Sequence, residues 1–95
     1  MIGVQELRLA LRISNDRLDA ELQDTIDAAV LDLKTAGVES GDVDALTGMA
    51  VKLYARWQFD YMGKGEQYQR SYEALKAVLS LCEEYRNAKG GRAGG

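Results

Sequence analysis

The chain contains no histidine and no proline, and it has a single cysteine among 95 residues. Without histidine the usual general base is missing, and with it any Ser-His or Cys-His nucleophile. A zinc site needs several Cys or His ligands, and Cys82 alone supplies one. One cysteine cannot close an intrachain disulfide. The lack of proline suits long, uninterrupted helices. No run approaches the roughly 18 consecutive apolar residues of a membrane span. The N-terminus shows no basic segment followed by an apolar stretch, so no signal peptide is expected and a cytoplasmic protein is expected. No enzyme activity and no cofactor are expected.

What is present is an ordinary globular composition, with 46% hydrophobic and 28% charged residues. The length suits one domain with a modest core. Net charge is −3, unevenly spread. Residues 14–44 carry nine acidic side chains against Arg17 and Lys34, a balance of −7, whereas residues 45–95 have a balance of +3. An acidic N-terminal half disfavours phosphate binding there. It fits a subunit whose acidic side meets a neighbour's basic side, or simply a solvated acidic face.

Apolar spacing predicts four helices, one short and three long, in an all-α bundle. Val4 to Arg12 is the short one, with Val4, Leu7 and Leu11 in line and Leu9 and Ile13 extending it. Asn15 or Asp16 is the expected cap of a long helix over Arg17 to Ala36, which carries Leu18, Leu22, Ile26, Ala29, Val30 and Leu33 at steps of three and four. Gly37 supplies a left-handed stop, with Val38 making the accompanying apolar contact. The third helix, Asp42 to Met62, holds the only Trp and the only Phe, and Leu46, Ala50, Leu53 and Trp57 form its expected inner line. Asp42 or Asp44 is its expected cap, and Gly63 its end. After Gly63-Lys64-Gly65, Gln67 to Arg86 or Asn87 is the last helix. It has two apolar lines: Tyr68, Tyr72, Leu75, Leu79 and Cys82, with Val78, Leu81 and Tyr85 beside them. A small bundle needs only one line per helix, so the second is core width or a surface for a partner. The expected core is Leu22, Ile26, Leu33, Leu46, Leu53, Trp57, Leu75 and Leu79. Residues 1–87 form the expected helical domain, and the Gly-rich residues 88–95 a disordered tail.

Several patterns resemble chemistry without meeting its requirements. Asp16, Asp19 and Glu21 lack the spacing and glycine of a calcium loop. Gly63-Lys64-Gly65 lacks the full phosphate-loop pattern and follows a helix, not a strand. Glu83 and Glu84, adjacent on a helix, diverge by about 100 degrees and do not converge on one substrate. The aromatic set around Tyr54, Trp57, Phe59, Tyr61, Tyr68 and Tyr72 is read mainly as core packing, with stacking of single-stranded nucleic acid as the alternative.

The opening Val4-Gln5-Glu6-Leu7-Arg8-Leu9-Ala10-Leu11-Arg12-Ile13, followed by Ser14-Asn15-Asp16, resembles the first helix of the head–tail connector (head completion, or adaptor) proteins of tailed bacteriophages. Residues Asp19 to Leu22, Ile26 to Ala29 and Gly37-Val38 resemble that family's second helix. Asp44 to Leu46, with Ala50, Tyr54, Trp57 and Tyr61, resembles its third, and Ser71-Tyr72 and Leu75 the opening of its last. The family's frequent proline near position 39 is absent, and the Gly-rich tail departs from its pattern. The resemblance implies a structural protein of the virion's head–tail junction, in the host cytoplasm during assembly. It implies a ring of about twelve copies under the portal protein, extending the channel through which double-stranded DNA passes without sequence-specific binding. The ring would carry a tail-proximal completion or stopper protein, with no membrane partner. A closing ring needs two complementary surfaces. The candidates for subunit contacts or channel lining are Asp19, Asp24, Asp27 and Asp32 on the acidic side and Arg56 and Arg70 on the basic side. Gly63 and Gly65 are the expected hinge. The alternative reading is a small helical binding module that docks a partner through its aromatic end.

Overall fold

Side-chain oxygens and left-handed residues set several of the helix ends in this chain. The computed structural model describes residues 3–38 and 45–82, and among them the chain forms four α-helices, one short and three longer, with no strand pairing into a sheet. The expected caps Asp42 and Asp44, the loop at 39–41, Glu83, Glu84, Tyr85 and the tail lie outside the described residues.

Helix α1 is Val4–Ala10. The Gly3 N–H donates to Glu6 Oε1 at 2.9 Å, so the first turn satisfies a donor just before it. The helix ends two residues earlier than its apolar line suggests, because Arg12 turns left-handed at φ 59°. The Ile13 N–H then reaches the Arg8 carbonyl at 2.8 Å and the Arg12 N–H the Leu9 carbonyl at 3.2 Å, the paired bonds of a Schellman stop. Leu9 does not extend the buried line: it is 79% exposed.

Helix α2, Asp19–Thr35, starts later than the expected cap. The Asn15 side-chain oxygen accepts from the Arg17 N–H at 3.0 Å, which folds residues 15–17 into a turn, and neither Asn15 nor Asp16 caps the helix. Its end matches the sequence expectation. Gly37 sits at φ 87°, Val38 N–H donates to the Leu33 carbonyl and Gly37 N–H to that of Lys34, both at 2.9 Å, while Leu33 and Val38 are buried. The left-handed backbone makes Gly37→Ala an expected loss of about 1 kcal/mol, read as a lower urea midpoint at unchanged slope, even though open space surrounds the position.

Helices α3, Ala45–Gln58, and α4, Gly65–Leu81, form an antiparallel hairpin. The third helix stops at Gln58, not at Gly63. Asp60 (φ 49°) and Met62 (φ 57°) take left-handed backbone before Gly63 (φ 70°) does, and a single 3₁₀ turn, Tyr61–Gly63, makes the corner. Asp60 Oδ1 accepts the Gly65 N–H at 2.8 Å, so α4 starts at Gly65, two residues before expectation. The helix stops at Leu81, short of the expected Arg86. Cys82 is extended, its N–H bonds back to the Leu79 carbonyl at 3.1 Å, and the Ser80 hydroxyl donates to the Ala77 carbonyl at 2.8 Å.

Helix α3 lies between the others, and its buried positions are small: Thr47, Gly48, Ala50, Val51 and Ala55. Small residues let neighbouring helices approach closely, so the larger core volume comes from those neighbours. Leu7 and Leu11 from α1, Leu22, Ile26, Ala29 and Leu33 from α2, and Tyr72 and Leu79 from α4 supply it. Leu53, Trp57 and Leu75 are half-buried against this core. Leu46 does not join them: it is 41% exposed, because the inner face of α3 is rotated toward Thr47 and Val51.

Candidate functional site

Tyr72 is a large, fully buried side chain in the middle of α4. Its ring meets Tyr54 edge-on at 5.2 Å and lies 6.0 Å from Trp57, and Tyr54 and Trp57 meet edge-on at 5.4 Å. These are the offset and T-shaped arrangements that aromatic quadrupoles favour. Burying a tyrosine requires a partner for its hydroxyl, and α2 provides it: Tyr72 Oη donates to Asp32 Oδ2 at 2.6 Å. Lys76 Nζ, one turn further along α4, donates to the same oxygen at 2.9 Å and lies 3.1 Å from Glu73 Oε1 and 5.2 Å from the Tyr72 ring centroid. Asp32 therefore joins α2 to α4 across the bundle.

The electrostatics follow from this geometry. The Tyr72 hydroxyl, helped by Lys76 and opposed by burial, holds the Asp32 carboxyl below its ordinary 3.8. Burial, then the bond to Asp32, pushes the Tyr72 phenol well above 10.0. Burial pulls the Lys76 ammonium down, but the hydrogen bonds to Asp32 and Glu73 outweigh it and leave it above 10.5. Raised folded-state values of Tyr72 and Lys76 mean that their stabilisation is complete below about pH 10 and is lost as pH climbs toward the folded values. The depressed Asp32 acts at the other end, its contribution fading as pH falls below 3.8. Thermal unfolding followed by circular dichroism is expected to show a drop in midpoint above pH 10 that is shallower in Tyr72→Phe, which has lost the phenol.

The other candidate residues divide between internal contacts and the surface. Asp19 pairs with Arg8 of α1, with Nε 2.9 Å from Oδ1 and Nη2 3.4 Å from Oδ2. Arg56 donates from Nε and Nη2 to the Ala10 carbonyl at 3.3 Å, and its guanidinium carbon lies 5.6 and 5.8 Å from the Tyr61 and Tyr68 ring centroids. Asp19, Asp32 and Arg56 thus tie helices of one chain together. Asp24, Asp27 and Arg70 are exposed, and Asp27 accepts from Gln23 Nε2 at 3.0 Å. Gly63 and Gly65 both lie in the α3–α4 corner.

Exposed apolar side chains form the rest of the surface inventory. Leu31 is 62% exposed on the outer side of α2 and Met49 51% on α3, while Val78 and Leu81, from the second apolar line of α4, stand at 57% and 79%. Sequence reasoning found the α4 line but missed Leu31 and Met49, which lie outside the apolar line read for each of their helices. It also missed Lys76, whose partner Asp32 is 44 residues away. Among the described residues no group of three or more Cys, Asp or Glu is placed to hold a metal ion, and no helix is long and apolar enough to cross a membrane.

A family model described as "Phage connector protein" matches residues 4–86. The chain belongs to that family. The match begins at the first residue of α1 and runs past the end of α4, so it takes in all four helices rather than one motif. Membership gives the chain a head–tail connector role in a phage particle, in the company of other head and tail proteins. Phage connectors are typically structural, which agrees with a site made of surfaces and helix-to-helix ties. No curated protein and no solved structure matches the chain.

Proposed function

We propose that copies of this connector assemble into a closed ring beneath the portal, extend the DNA channel and present a platform to a tail-proximal completion or stopper protein. The observation that carries this reading is the family match over the whole four-helix bundle. The surface supports it. A lone chain that leaves Leu31, Met49, Val78 and Leu81 in water has apolar area to cover on more than one helix. Ring closure requires a heterologous contact between two different faces, and α2 and the α3–α4 hairpin offer faces of different character. About twelve copies is the stoichiometry that the family resemblance suggests. Exposed carboxylates facing a channel would repel phosphate and let DNA pass without sticking. If α4 swings on assembly, Gly63 and Gly65 are the pivot, and the movement breaks the Gly65–Asp60 bond. Residues 1–87 act as the connector domain in this proposal, with residues 88–95 outside it.

Negative-stain electron microscopy of the concentrated protein, alone and mixed with its portal, tests this reading. Rings of uniform diameter are expected. Monodisperse protein that stays monomeric in both preparations would contradict it.

A further inference from the structure

The outer face of α2 and the outer face of α3 carry matching patterns. On α2, Leu22, Ile26, Ala29 and Leu33 are buried toward the core. Asp24, Asp27 and Leu31 fall on the opposite side of the helix and are exposed. On α3 the buried residues are Thr47, Gly48, Ala50, Val51 and Ala55, and Met49, Lys52 and Arg56 recur at steps of three and four on the side away from that buried line. Each face therefore holds one exposed large apolar residue and two like charges, which precede Leu31 on α2 and follow Met49 on α3. The charges are acidic on α2 and basic on α3. Lys52 and Arg56, both half-buried, have no carboxylate partner among the described residues, and Arg56, which already donates to the Ala10 carbonyl, keeps its charge unpaired.

The spacings agree as well as the signs. Asp24 precedes Leu31 by seven residues, and Met49 precedes Arg56 by seven, roughly 10.5 Å of helix in each case. Laid antiparallel, the two faces bring Leu31 onto Met49, Asp27 opposite Lys52 and Asp24 opposite Arg56. Asp27 lies four residues from Leu31 and Lys52 three from Met49, a mismatch of about 1.5 Å that a flexible lysine spans. Within one chain each face lies opposite the buried line of its own helix, and no ion pair joins Asp24 or Asp27 to Lys52 or Arg56. Between chains they make a head-to-tail contact, the kind that closes into a ring.

We propose that the Asp24–Asp27–Leu31 face of α2 docks on the Met49–Lys52–Arg56 face of α3 in a second copy of the chain. This rests on the ring reading above and adds the contact that builds it. The apolar pair supplies burial, and the two charge pairs fix the register and exclude the reversed orientation. The acidic face of α2 is then covered between subunits and does not line the channel.

The test is a charge swap in the full chain, read by sedimentation velocity, with circular dichroism to verify the fold of each variant. Asp27→Lys and Lys52→Glu are each expected to weaken assembly about tenfold or more, since like charges then face each other across the contact. The double variant carries Lys opposite Glu and is expected to recover assembly to near the wild-type level. Single variants that assemble like wild type, or a folded double variant as defective as the singles, would overturn this contact while leaving the ring intact. Wild-type protein that forms no oligomer, with or without portal, would remove both the contact and the ring reading.

Discussion

Tyr72→Ala is expected to destabilise the protein by about 3–5 kcal/mol, the range for deleting a buried aromatic side chain. Three losses coincide at this position. The ring is fully buried in the core cluster, it packs edge-on against Tyr54, and its hydroxyl makes the bond by which α4 holds Asp32 of α2. Tyr72→Phe separates these effects. It keeps the ring and its packing and removes only the hydroxyl, for an expected loss of about 1.5 kcal/mol. That is the low end for a hydrogen bond to a charged group. The Asp32 side chain is 37% exposed and keeps Lys76 at 2.9 Å, so water and the ammonium can take over the freed lone pair. Urea denaturation of the two variants checks both figures. A phenylalanine variant as unstable as the alanine variant would shift the weight from packing to the polar tie. A wild-type-like alanine variant would contradict the placement of Tyr72 in the core.

Gly65→Ala is expected to destabilise by about 1–3 kcal/mol, although alanine is the better helix former by about 1 kcal/mol. A Cβ at this position would lie 2.6 Å from Asp60 Oδ1, 3.2 Å from the Trp57 carbonyl oxygen and 3.3 Å from Asp60 Cα. The Asp60 carboxylate could swing away, but it would then release the Gly65 N–H that it accepts at 2.8 Å. The two backbone contacts can relax only by opening the corner between α3 and α4. Asp60 and Met62 are already held left-handed there, a conformation that costs an L-residue about 1–2 kcal/mol each. Loss of stability in Gly65→Ala with little change in Asp60→Ala would show that the close approach, rather than the cap, sets the corner. A more stable Gly65→Ala would show that the corner yields easily.

The order and number of helices were legible from apolar periodicity, and the stop at Gly37-Val38 from one glycine followed by one valine. The errors have common causes. Leu46 was assigned to the core because large apolar residues dominate a periodicity count, whereas the inner face of α3 is built from Gly48, Ala50 and Ala55, which carry little hydrophobic signal. The end of α3 was misplaced because Asp60 and Met62 adopt left-handed backbone without the glycine that marks it in a sequence. In sequence, Asp19, Asp32 and Arg56 are candidates for subunit contacts or channel lining, yet each is engaged within the chain. Their partners, Arg8, Tyr72 with Lys76, and the Ala10 carbonyl, lie 11 to 46 residues away and become visible only in three dimensions. Asp24 and Asp27 remain on the surface, and they are the acidic residues that the proposed contact uses.

A three-dimensional reconstruction of the neck of the phage particle by electron cryomicroscopy tests the ring and its α2–α3 contact most directly. A closed ring between portal and tail is expected, each repeat fitting the α1–α4 bundle, with α2 of one copy against α3 of the next. A neck without such a ring, or the bundle located elsewhere in the particle, would contradict it.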